Sequence, residues 1–320
     1  MNTSGLRRSA TASAAATLLL LAGCSGSGSP AAEDDQVDVV AGFYPLEWAA
    51  ERVGGNLVSV SSLTTSGAEP HDLELTPQDV AAVSDADLLV YLSGFQPAVD
   101  DAARSQAGEA AWDAAEAADL SLSSGGSEHA EEEEDEHAEE EHAHDEGAAD
   151  PHFWLDPLRL AAVGDALADR LAELDPDDAQ AYAENAAALR ADLETLDAEM
   201  AEGLGDCRVD TLVTSHDAFG YLADRYGFDV VGISGLSPDQ EPSADQMAEI
   251  SALVGERDVT TVYTETLVDP SVAETVADEA GVRTAVLDPI EGLTDESAGE
   301  DYLEVMRSNL ATLAEGQSCS

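Results

Sequence analysis

The chain has 320 residues, 68 of them acidic and 12 basic, for a formal net charge of -56 at neutral pH. Every basic residue is arginine, and the acidic run from Glu128 to Glu146 holds only a minority of the carboxylates, so acidity belongs to the whole surface. This balance argues against nucleic acid as a partner and fits a body that repels itself and attracts cations; the length suggests two domains, each with its own core.

At the N-terminus, Arg7 and Arg8 precede the apolar run "ATASAAATLLLLAGC", too short for a comfortable membrane span. Its end, Leu21 to Cys24, resembles the lipobox of bacterial lipoproteins, in which the cysteine is lipidated and becomes the first mature residue. Residues 1–23 are therefore expected to be a signal peptide, with lipid on Cys24 and a flexible tether over 24–36. Only Cys207 and Cys319 then remain, in an oxidising compartment, and they are expected to form a structural disulfide.

From Val37 the pattern alternates strand and helix: "VDVVAGF", then "PLEWAAERVGG", then "LVSVSSL". Thr76-Pro77 carries a capping hydroxyl and a first-turn proline, and "DADLLVYL" follows as a buried strand. Such alternation predicts a parallel sheet with helices on its faces. An acidic, His-rich insertion over 125–149 interrupts this first lobe, which spans 37–173. Asp156-Pro157 opens a helix, and Asp175-Pro176 opens a long one within 174–204, without internal proline and with no glycine before its end. Four more strands, "VDTLVTS", "FDVVGIS", "TTVYTE" and "RTAVLD", build a second lobe over 205–320. The expected fold class is α/β: two parallel-sheet lobes linked by a single long rigid helix.

Five of the seven histidines lie between Ser127 and His152. Four of them, His129, His137, His142 and His144, sit among glutamates in a segment whose composition cannot form a packed core; they read as accessory, weak metal ligands. The other three stand apart. His71 lies in "GAEPHDLELTPQDV", His152 in "DPHFWLDP", and His216 at the end of the apolar strand in "DTLVTSHDAFGYL". Glu265 and Asp288 also end apolar strands. Ligands of open parallel sheets bind beyond the carboxyl ends of the strands, so these side chains point toward a common mouth.

The segments "EPHDLELTPQDV", "DPHFWLDP", "TSHDAFGYLADRYG" and "VLDPIEGL" stand in an order that resembles the substrate-binding lipoproteins (cluster A-I) of zinc and manganese ABC importers, over essentially the whole mature chain. The resemblance implies two α/β lobes bridged by one rigid helix, with metal in the interlobe cleft. It also implies His71, His152, His216 and Asp288 as ligands. Three imidazoles and a carboxylate suit tetrahedral Zn²⁺ better than a harder, oxygen-preferring ion. Glu265 is then expected behind a ligand, accepting its second N–H.

The expected function is capture of Zn²⁺ outside the cytoplasmic membrane and delivery to an ABC permease with its ATPase, by a monomer that performs no chemistry on a substrate. Alternatives are a manganese or iron binder of the same importer family, a zinc-dependent hydrolase with Glu265 as base, or a surface adhesin without a transporter.

Overall fold

A computed structural model of the protein describes residues 36–123, 149–238, 240 and 242–320. Cys24, the tether up to residue 35 and the four histidines of the acidic run lie outside the described residues.

The first lobe runs β1 (Val37–Ala41), α1 (Tyr44–Gly54), β2 (Val58–Ser62), α2 (Pro77–Asp85), β3 (Leu88–Tyr91), α3 (Pro97–Ala102), β4 (Ala111–Asp113) and α4 (Ala115–Ala118). Two longer helices follow, α5 (Pro157–Leu174) and α6 (Ala179–Leu204). The second lobe runs β5 (Thr211–Thr214), α7 (Gly220–Tyr226), β6 (Asp229–Gly232), α8 (Ala244–Glu256), β7 (Thr261–Thr264), α9 (Ser271–Ala280), β8 (Arg283–Val286) and α10 (Tyr302–Gly316). Each lobe holds a four-stranded, all-parallel sheet, ordered β2-β1-β3-β4 and β6-β5-β7-β8. The architecture is the two-lobed α/β arrangement that the alternating pattern predicts. The short strand β4, "AWD", carries no apolar run and was not among the expected strands.

The central strands β1, β3, β5 and β7 are buried on two faces, which explains strands read as apolar runs rather than alternating ones. In β1, Val39 faces the central core while its neighbour Val40 faces a separate outer cluster with Leu63, Val83 and Leu89. The second lobe has its own outer cluster, built around Val213, Val262, Ile250 and Val276.

The central core is shared, and α6 is its spine. Its buried residues Tyr182, Ala186, Leu189, Leu193, Leu196, Met200 and Leu204 recur every three or four positions, forming one apolar stripe. At 1.5 Å per residue the helix is about 39 Å long. It packs along α5 and touches both α1 of the first lobe and α10 of the second. Close approach to α5 depends on Gly164, where a Cβ would sit 2.8 Å from Leu189 Cδ2.

Two capping expectations hold and one shifts. Thr76 and Asp79 form a reciprocal capping box on α2, and Asp156 caps α5 through Leu158 N–H. Asp175 instead accepts from the Tyr182 hydroxyl at 3.1 Å. A short 3₁₀ turn, Pro176–Asp178, therefore precedes α6, which begins only at Ala179.

Cys207 and Cys319 are disulfide-bonded, tying the end of α10 to the junction of α6 and β5. The two ends of the acidic insertion are held together by an antiparallel bridge between Ser123 and Ala149.

Candidate metal centre

Four buried side chains converge between the lobes: His71, His152, His216 and Glu291, with one potential ligand atom from each lying within 4.8 Å of the others. The Nε2 atoms of His152 and His216 each lie 3.1 Å from Glu291 Oε1, and that of His71 lies 3.3 Å from the same oxygen. The second oxygen of Glu291 is buried and, among the described residues, has no hydrogen-bond partner. A buried, unpartnered carboxylate oxygen is costly unless something charged faces it.

Each histidine is held by its own local device. His71 sits in the long loop after β2, where the side chain of Glu69 accepts the His71 and Asp72 backbone N–H groups at 2.9 and 3.2 Å. Buried Gln96 fixes the same loop by donating to Pro70 O and Thr64 Oγ1. The His71 ring packs edge-on against Phe95, 4.7 Å between centroids.

His152 precedes a 3₁₀ turn, Phe153–Leu155, that leads into the capped start of α5. One oxygen of Asp150 receives both its backbone N–H, at 2.9 Å, and its ring Nδ1, at 2.8 Å. His216 lies just past the carboxyl end of β5, and Glu265, directly after β7, treats it the same way. One carboxylate oxygen takes the backbone N–H at 3.1 Å and the other faces Nδ1 at 2.6 Å. With Nδ1–H donating to a carboxylate, Nε2 of each ring is aimed at the centre and is the atom whose lone pair a metal would take once the ring is neutral.

Electrostatics follow from this crowding. Burial alone lowers the affinity of His216 for a proton, but Glu265 and Glu291 outweigh it and hold the imidazole well above the usual histidine range. His152 is likewise raised: burial opposes protonation, while Asp150 and Glu291 favour it. Burial would raise Glu291, yet the facing histidines, His216 foremost, hold it well below the usual carboxylate range. The centre is a basin of negative potential lined by three nitrogen donors, suited to a divalent cation. Three imidazoles plus one carboxylate is a tetrahedral zinc donor set.

Of the expected ligands, the structure brings His71, His152 and His216 together and does not add Asp288. The Asp288 carboxylate is spent on its own loop, accepting from Ile290 N–H at 2.8 Å and from the Ser297 hydroxyl at 3.0 Å. Glu291, three residues further on, reaches the centre in its place. Glu265 stands behind His216, accepting its backbone N–H and facing its Nδ1. Asp150, its counterpart behind His152, was missed, although "DPH" puts a carboxylate two residues before the ligand.

The family described as "Zinc-uptake complex component A periplasmic" matches residues 39–316. The chain is 38% identical over 287 residues to the zinc-binding protein AdcA of Streptococcus pyogenes, covering 88% of this chain and 56% of that protein. It is 38% identical over 307 residues to the high-affinity zinc uptake system protein ZnuA of Bacillus subtilis, covering 93% and 94%. The crystal structure of Zn(II)-bound AdcA from Streptococcus pneumoniae superposes with a TM-score of 0.70 at 33% identity, over 88% of this chain and 58% of that one. The chain thus spans little more than half the length of its streptococcal relatives and nearly all of the Bacillus one.

Proposed function

The chain belongs to the family of periplasmic A components of zinc-uptake complexes, and on that premise we propose that it captures Zn²⁺ outside the cytoplasmic membrane and delivers it to an ABC-type import permease. The observation that carries this reading is the convergence of three imidazole Nε2 atoms on one Glu291 oxygen in a buried centre. His71, His152, His216 and Glu291 are the proposed ligands. Asp150 and Glu265 hold the tautomers that leave Nε2 free to bind. A site with three nitrogens favours the borderline-soft zinc ion over manganese, which prefers carboxylate and water oxygens.

Two of the ligands, His71 and His152, precede α6 in the chain, and two, His216 and Glu291, follow it. A bound ion therefore crosslinks the lobes, and its binding free energy becomes stability of the joined form. With α6 packed against both lobes, we expect local adjustment of the loops rather than a wide hinge movement. The handover partners are the permease and its ATPase. Lipid on Cys24 would keep the protein at the outer face of the membrane, and no chemistry on a substrate is required. The acidic run with His129, His137, His142 and His144 would gather zinc weakly beside the tight site.

Equilibrium zinc titration with manganese competition, on protein lacking residues 1–24, tests the reading. One tight site with weaker additional binding is expected, with manganese failing to displace zinc. Deleting residues 128–146 should remove the weak binding and leave the tight site. Loss of the tight site on that deletion would sink the ligand assignment.

A further inference from the structure

The turn that delivers Glu291 is built against the preference of its own residues. Ile290 is fully buried and has φ +58°, a left-handed conformation that a β-branched residue rarely adopts. Such a conformation persists only where its surroundings over-determine it, and here they do. Asp288 Oδ1 accepts the Ile290 N–H at 2.8 Å, closing the turn across Pro289. Asn309, on α10, grips both sides of the Asp288 backbone: its side-chain oxygen accepts the N–H at 3.0 Å and its amide donates to the carbonyl at 2.7 Å. The Trp154 indole donates to Pro289 O at 2.8 Å, and Ser297 donates to the remaining Asp288 oxygen at 3.0 Å.

Every backbone polar group from Asp288 N to Ile290 N that can pair is thus held by a side chain, and all those side chains are buried. The consequence lies one residue further on. With Ile290 left-handed, the chain turns toward the cleft and Glu291 Oε1 comes within reach of all three histidines. Extended backbone at Ile290 would aim residue 291 elsewhere.

We propose that Asp288 is the positioning residue of the metal centre, locking the left-handed Ile290 turn so that Glu291, rather than Asp288 itself, meets the ion. This rests on Glu291 being a zinc ligand. It assigns the aspartate of "LDPIEG" a mechanical role: its carboxylate acts as a hydrogen-bond acceptor within the chain, and only the geometry of the acceptor matters. A neutral acceptor of the same shape should therefore serve nearly as well as the carboxylate.

The test is zinc titration against a competing chelator on the parent, D288A, D288N, E291Q and the D288A/E291Q double variant. D288A should weaken zinc by about 10–100-fold, the usual cost of losing a group that orients a ligand. D288N keeps the acceptor for Ile290 N–H and should stay within about threefold of the parent, a rescue that a metal-ligating carboxylate would not show. In the E291Q background, D288A should cost no more than about twofold further, because the group it positions is already lost. Additive losses in the double variant, or D288N as damaging as D288A, would overturn the proposal. If E291Q binds zinc as tightly as the parent, it is the assignment of Glu291 as a ligand that fails, whatever D288A does. Should D288A not fold, D288N decides alone: zinc binding within about threefold of the parent supports the positioning role, and a loss of about 100-fold, as expected for a lost ligand, overturns it.

Discussion

Replacing both cysteines with serine should lower stability by an amount set by the chain that the disulfide closes. Cys207 and Cys319 are separated by 112 positions. A loop of that length loses about 5 kcal/mol of chain entropy in the unfolded state when crosslinked. The folded state should change little, because the same junction is stitched independently. Arg208 and Val209 N–H both donate to Gln317 O at 3.1 Å, the Gln317 side chain donates to Val209 O and Thr211 O, and Ser320 N–H donates to Asp206 O. With an unfolding entropy of roughly 0.6 kcal/mol per kelvin for a folded unit of this size, the loss corresponds to about 8 °C in Tm. Calorimetry of C207S/C319S against the parent, both metal-free, measures it. The same variant should bind zinc unchanged, since the bond sits at the N-terminal edge of β5 and His216 lies past the opposite edge. A Tm shift under about 2 °C would refute the loop-entropy reasoning, and a large loss of zinc affinity would show that the pair shapes the cleft.

Three further outcomes follow from the metal centre. H216A should weaken zinc by more than about 100-fold, since it removes a donor rather than a group behind one, and it should abolish the zinc-induced rise in Tm; titration and thermal melts check both. E265Q should weaken zinc by about 10–100-fold, because His216 N–H and Nδ1–H use separate oxygens of Glu265 and an amide puts an NH₂ in place of one of them; competition titration reads it. Zinc-induced stabilisation should grow as pH rises from 6 to 8.5. The folded-state pKa values of His152 and His216 are raised, so their contribution to metal-free stability is complete below about 6.5 and is lost as pH climbs through the raised values. Zinc needs the same rings neutral and gains over that window. A zinc-induced Tm shift independent of pH would contradict this.

Much of the fold could be read from the sequence because its signals are local. Short runs rich in β-branched residues, such as "VVA" and "TLVT", are buried on both faces of parallel sheets, and Thr76-Pro77 and Asp156-Pro157 start helices by satisfying their own first-turn amides. Where the signal is not local, the reading slips. β4 has three residues and is defined only by pairing with β3. Asp175 precedes a proline as a cap would, but Tyr182, a turn into the helix, takes its carboxylate.

The candidate site divides along the same line. His71, His152 and His216 stood out as a set, apart from the acidic run and within the motifs that carry the family resemblance. Asp288 follows the strand "RTAV", as a cleft ligand should, and the resemblance named it over Glu265 as the fourth ligand. The rule that ligands gather beyond strand ends locates the mouth, but it does not say which of two nearby carboxylates faces inward. That choice depends on one backbone angle, at Ile290, and the residue there signals the opposite of what it does. A glycine or asparagine would have announced a left-handed turn; a buried isoleucine announces a strand. The Asp288 carboxylate, braced by contacts from the distant Trp154 and Asn309, reverses that preference. The two carboxylates of "DPIE" thus exchange the roles that their distance from the strand suggests. The nearer one holds the turn, and the farther one is turned into the cleft.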